Sequence, residues 1–194
     1  MNSSSKQKDV SYSVKLRVKQ SIPNVITFLR LIALPSLIYS FNYLNIFVTS
    51  IVFLAVIISD LVDGYIARKI GSTSKFGAYL DVIVDFLFIN GTYLFFSFKG
   101  IYSPWILLVI IFAFAQFIIS NILSKRMIYD PVGKYFGSIL FGGIGITILI
   151  SEPIISNFFI FSDQIVYIII TVSIVVSALA TILSRFTYLI HNRR

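Results

Sequence analysis

Four aspartates fall within one short stretch, Asp60 to Asp85, reading DLVDGYIARKIGSTSKFGAYLDVIVD, and they are half of the eight acidic residues in the chain. Apolar runs long enough to cross a bilayer flank the stretch on both sides. A carboxylate near hydrocarbon costs about 2.5 kcal/mol or more, so acids there are rare and usually functional. Asp60, Asp63, Gly64 and Ala67 fall at i, i+3, i+4 and i+7, one face at the end of a helix. Gly77, Asp81 and Asp85 fall at i, i+4 and i+8, one face at the start of the next. A hairpin through the loop expected at Arg68–Lys75 turns the two faces together, so that all four carboxylates meet.

Four converging anions cannot all stay ionised without counter-charge. Divalent cations supply it. An all-oxygen set, with no histidine in the stretch and no cysteine in the chain, selects a hard ion, Mg²⁺ or Mn²⁺. Two such ions balance four negative charges and leave coordination positions for phosphate oxygens. Gly64 and Gly77 remove side chains where a nucleotide must come close to the helices. Arg68 offers a forked cation to a phosphate. The combination describes a diphosphate site. Two other readings compete: ion or substrate transport through the same acid cluster, and structural pairing of the acids with Arg30 and Arg68. Transport favours polar positions continuing across the bilayer, and the outer halves of the flanking runs have none. Structural pairing leaves four acids against two bases.

The elements that position these residues follow from hydropathy. Mean hydropathy is +0.91, with 57% of residues hydrophobic and 12% charged in a chain of 194. A soluble domain is about a quarter charged. The composition suits an all-α integral membrane protein, a bundle of six transmembrane helices of roughly 20 apolar residues each. The expected spans are Pro23–Phe41, Ile46–Ile66, Phe76–Phe98, a fourth ending near Ser124, Tyr135–Ser151 and Gln164–Leu189. Residues 1–22 form a polar tail and a short N-terminal interfacial helix, with Val10, Val14 and Val18 at i, i+4 and i+8. Residues 23–190 form the membrane domain and 191–194 a basic tail. Asp130-Pro131 and Gly133 signal a turn within a polar segment, Lys125 to Lys134.

The net charge of +8 sits at the ends of the apolar runs rather than on a continuous basic face, which argues against nucleic acid and for anionic lipid. Loops on the side of the N-terminus carry Lys69, Lys75, Lys125, Arg126 and Lys134, whereas the other side carries only Lys99 with Glu152 and Asp163. The positive-inside rule places both termini and the acid cluster on the cytoplasmic side of the cell membrane. Trp105 and Tyr102 fit an aromatic belt at the outer end. Gly133-x3-Gly137 and the cluster Gly142, Gly143 and Gly145 read as close helix packing.

The pattern Asp60-x2-Asp63-Gly64-x2-Ala67-Arg68-x8-Gly77-x3-Asp81-x3-Asp85 resembles, at every specified position, the signature of the CDP-alcohol phosphotransferase family. The run IPNVITFLRLIALP also resembles the first helix of bacterial and archaeal members, which often read PN-x2-T-x2-R. The resemblance implies a homodimeric six-helix membrane enzyme that transfers a substituted phosphoryl group from a CDP-linked lipid to a small polar alcohol and releases CMP. It implies that Asp60, Asp63, Asp81 and Asp85 hold two Mg²⁺ or Mn²⁺ ions, with Asp85 also the general base. Gly64, Ala67, Arg68 and Gly77 would contact the cytidine nucleotide, with Asn24 and Thr27 reaching it from the first span.

The donor that the resemblance implies is a CDP-linked diacylglycerol or archaeal ether lipid (CDP-archaeol), and the acceptor expected is glycerol phosphate or inositol phosphate. Lys125, Arg126, Lys134 and Arg185 are the candidates for an acceptor phosphate, against an ordinary positive-inside role for the same residues. Glycerol-phosphate-using members often read D-P-x-A-D-K, whereas this chain reads Asp81-Val82-Ile83-Val84-Asp85-Phe86, without the Pro and Lys. Inositol-phosphate-using relatives often place Arg after the last Asp, and Phe86 departs from that as well.

Overall fold

The structure is a computed structural model of the chain, and it describes residues 29–70, 75–123, 131–151 and 162–191. Among the described residues, all regular structure is helical. Six helices follow in order: α1 (29–43), α2 (Ile46–Ile70), α3 (Lys75–Phe98), α4 (Trp105–Leu123), α5 (Pro131–Ile150) and α6 (Asp163–His191). A helix stands at the place of each expected span. Two stretches, Leu80–Phe98 and Asp163–Tyr188, are long and apolar enough to cross a membrane, and Ile46–Ser59, Trp105–Asn121 and Tyr135–Ile150 are shorter apolar helices. The proposed interfacial helix before Pro23 lies outside the described residues.

Local chemistry sets the helix ends. The Asn45 side chain accepts from the Val48 amide at 3.0 Å, capping the N-terminus of α2. At the end of α3 the Gly100 amide donates to Ser97 O and the Ile101 amide to Phe96 O, both at 3.0 Å. Gly100 sits at φ 75°, the left-handed conformation that this closing motif requires. Two boundaries differ from expectation. Arg68, Lys69 and Ile70, read as loop, continue α2. Pro131, read as part of a turn, opens α5, because a first-turn residue has no helical partner for the amide that proline lacks.

The chain divides into two compact units, Met1–Leu37 with Ile51–Phe88, and Ile38–Ser50 with Ile89–Arg194. In the first, Leu37, Phe53, Val56, Val84 and Phe88 are buried together with the guanidinium of Arg30.

In the second unit α6 packs against α4 and α5. Ile170, Ile174, Ala178, Thr181 and Arg185 form its buried stripe at helical spacing. The opposite face exposes Ile168, Val172, Val176, Leu179, Leu183 and Phe186. A helix apolar on its outward face is one whose surroundings are themselves apolar. Inside the unit, Tyr93 Oη donates to Leu140 O at 3.1 Å, Tyr102 Oη and Thr147 Oγ1 lie 2.6 Å apart, and Thr147 Oγ1 donates to Gly143 O at 2.6 Å. Burial pushes the Tyr102 pKa up, against an opposing hydrogen bond with Thr147. Tyr102 is therefore a neutral core residue rather than a belt aromatic, while Trp105 is exposed as expected. A Cβ on Gly143 would stand 2.5 Å from Tyr93 Oη and 3.0 Å from an Ile170 methyl, but one on Gly137 or Gly142 would meet nothing within 4 Å. Of these three, only Gly143 is held to glycine by packing.

Candidate active site

Asp81 and Asp85 lie one helical turn apart on α3, so their side chains rise from the same face. Between them comes Arg30 from α1. Its Nη1 donates to Asp85 Oδ1 and stands 3.0 Å from Asp81 Oδ1. One guanidinium nitrogen thus meets an oxygen of each carboxylate. The arginine side chain is 1% exposed, whereas those of Asp81 and Asp85 are 40% and 24% exposed. The Asp81 oxygen facing Arg30 is itself buried, so the rest of that side chain carries the exposure. Each acid meets Arg30 with one oxygen and is part exposed as a whole.

Asp60, Asp63, Gly64, Ala67 and Arg68 lie on the last turns of α2, and Gly77 lies on the first turn of α3. For these six only the helical position is described, so the convergence of the four carboxylates lies outside the described residues. Asn24, Thr27, Lys125 and Arg126 lie outside the described residues, and for Lys134 only its place in the first turn of α5 is described. Arg185 belongs to the second unit. Its Nη1 donates to Ser120 Oγ at 2.7 Å and to Phe117 O at 3.3 Å, and its guanidinium lies 4.3 Å from the centre of the Phe117 ring. It is fully buried there.

Arg30, which the sequence reading named only as a structural partner of the acids, meets Asp81 and Asp85 in the structure. The signal was present: a lone arginine within an apolar run needs an anionic or polar partner. A cavity of about 930 Å³ lies elsewhere, in the second unit, lined by Tyr102, Trp105, Tyr167, Val172 and other mostly apolar groups. It contains none of the sequence-predicted site residues. Size alone does not make that cavity the site.

Among the described residues no group of three or more ligating side chains assembles, yet the two acids do suit a hard cation. Both offer only oxygen, at helical i, i+4 spacing, and both oxygens already converge on a single positive centre, the Arg30 nitrogen. The donor chemistry therefore fits a divalent ion.

Residues 20–183 match the CDP-alcohol phosphatidyltransferase family, and the chain belongs to that family. Individual relatives match over shorter stretches. A CDP-diacylglycerol–glycerol-3-phosphate 3-phosphatidyltransferase of Arabidopsis thaliana is 35% identical over 98 residues, 46% of this chain and 33% of the relative. The enzyme of that name from Haemophilus influenzae is 39% identical over 72 residues, 35% of this chain and 38% of the relative. A cardiolipin synthase (CMP-forming) of Oryza sativa subsp. japonica is 35% identical over 98 residues, covering 46% of this chain and 30% of that protein. The chain thus spans only about a third of the length of these three relatives.

Proposed function

We propose that the protein is a membrane phospholipid synthase. It transfers the phosphatidyl group of a CDP-linked lipid to the hydroxyl of a small polar alcohol and releases CMP. The observation that carries the reading is the Asp81–Asp85 pair, gripped from within by Arg30 and set in an eight-position acidic motif of a family of phosphatidyltransferases. Relatives named for CDP-diacylglycerol and glycerol 3-phosphate favour that donor and acceptor here, over inositol phosphate.

In the reaction the acceptor oxygen forms a bond to the lipid-bearing phosphorus as the bond from that phosphorus to CMP breaks. Asp85 receives the hydroxyl proton. Asp60, Asp63, Asp81 and Asp85 are the residues that would hold two divalent ions, Mg²⁺ or Mn²⁺. When bound, such ions supply positive charge to the phosphate oxygens. Gly64, Ala67, Arg68, Gly77, Asn24 and Thr27 bind the cytidine nucleotide. Lys125, Arg126, Lys134 and Arg185 orient a phosphorylated acceptor, and Arg185 is buried.

The apolar outward face of α6 supports a membrane setting; in this reading residues 23–190 form a bundle of six spans that works as a homodimer. Both termini and the site face the cytoplasm, because the basic loops lie on that side. The discriminating assay offers CDP-diacylglycerol to the purified protein with glycerol 3-phosphate, inositol phosphate or phosphatidylglycerol and follows CMP. Release with glycerol 3-phosphate alone supports the reading. Release only with another acceptor overturns the acceptor assignment and keeps the reaction class. Binding and movement of divalent ions across vesicles, without CMP release, overturns the enzyme reading in favour of transport.

A further inference from the structure

Arg30 occupies an unusual place for a positive charge. It is fully buried, it comes from a different helix than the acids, and one of its nitrogens reaches an oxygen of both Asp81 and Asp85. That nitrogen stands where a cation shared by the two carboxylates would also draw its ligands. A guanidinium can hold them only at hydrogen-bond distance, whereas a hard divalent ion takes carboxylate oxygen at about 2.0–2.1 Å for Mg²⁺. Like charges a few ångströms apart inside a protein repel strongly, because screening there is poor. The two cations therefore draw on the same pair of carboxylates and oppose each other.

We infer that Arg30 is a resident counter-cation of the Asp81–Asp85 pair that sets how tightly the site binds a divalent ion. It holds the two acids at a fixed spacing and weakens metal affinity by its charge, so that an ion held at this site stays exchangeable. The inference rests on Asp81 and Asp85 being metal ligands, as proposed above. Arg30 touches the acids rather than substrate, and is a positioning residue.

The test is direct Mn²⁺ binding by electron paramagnetic resonance on the full-length protein in detergent, alongside its melting temperature. Arg30→Met and Arg30→Gln remove the charge, and Arg30→Lys retains it. The neutral variants are expected to bind Mn²⁺ roughly tenfold or more tightly than wild type. They should also melt at lower temperature without metal and gain more on adding it. Arg30→Lys should bind within about threefold of wild type. Neutral variants that bind Mn²⁺ no more tightly than wild type overturn the inference. Should neither neutral variant fold, the side-chain ¹⁵N resonances of Arg30 in the wild-type protein carry the same test. They shift on adding Mg²⁺ if the arginine and the ion share ligands, and stay unmoved if the inference is wrong. Asp81→Asn separates this inference from the reading beneath it. Mn²⁺ binding unchanged by Asp81→Asn contradicts the metal site itself, whereas binding lost in Asp81→Asn but insensitive to Arg30 contradicts only the role of Arg30.

Discussion

Among the described residues each of the two units buries one arginine, and the two arginines meet different partners. In the first, Arg30 faces two carboxylates, and the contact is one between full charges. In the second, the contacts described for Arg185 are a hydroxyl, a backbone carbonyl and an aromatic ring. Elsewhere in that unit Tyr93 donates to Leu140 O, and the hydroxyls of Tyr102 and Thr147 pair. Charge placed opposite charge suits a site that must hold ions and phosphates and let them go. Neutral partners suit a framework, because a hydrogen bond between neutral groups needs no counter-ion and does not change with ligand. The contrast is between an arginine set against charge and an arginine set among neutral groups.

Removing the acids should break the contrast most severely. Asp85→Asn keeps the shape of the side chain and takes away both the charge and the proton acceptor, so CMP release should fall by about 10²–10⁴-fold. Asp81→Asn is expected to lose nearly as much by weakening the metal site, with activity partly recovered at high Mn²⁺ in a steady-state assay. At Arg185 the effect should be smaller and of another kind. Arg185→Lys keeps the charge but gives up the fork and the stacking on Phe117. The expected result is roughly a tenfold rise in KM for a phosphorylated acceptor with KM for the CDP-lipid unchanged. An equal change in both would assign Arg185 to the framework alone.

Within the framework the expected effects are on stability. Gly143→Ala drives a methyl onto Tyr93 Oη, whose rigid ring is tied to Leu140 O, and should cost about 1–3 kcal/mol by thermal denaturation in detergent. Gly142→Ala meets open space and should be neutral or stabilising by up to about 1 kcal/mol, since alanine favours the helix. Tyr102→Phe removes one buried hydroxyl contact with Thr147, and a loss of about 1 kcal/mol is expected. Should Gly142→Ala destabilise as much as Gly143→Ala, the close packing assigned to Gly143 is wrong.

Much of this was legible before any coordinates. Hydropathy located each of the described helices, because a run of apolar residues bounded by Gly, Pro or charge leaves few alternatives. The i, i+4 spacing placed Asp81 and Asp85 on one face. Boundaries were less legible: Arg68 and Lys69 look like loop by polarity, yet the helix continues through them because helix propensity for both is high. Arg30 was legible as a candidate partner of the acids, but not which of the four it meets, since Asp81 and Asp85 lie 51 and 55 positions further along the chain. Tyr102 was misjudged for the same reason. Its position beside Trp105 suggests a belt, and only the fold brings Thr147 to its hydroxyl. Gly142 and Gly143 are indistinguishable in sequence, and packing alone tells them apart.

The central claim is that the acids on α3 carry out a CDP-dependent transfer. Its most direct test follows CMP formation from CDP-diacylglycerol and glycerol 3-phosphate with Mg²⁺ or Mn²⁺ present, comparing wild type with a folded Asp85→Asn variant. The account predicts release by wild type that stops on adding EDTA and is reduced at least about a hundredfold in the variant. Release that persists undiminished in Asp85→Asn, or that ignores the removal of metal, would contradict it.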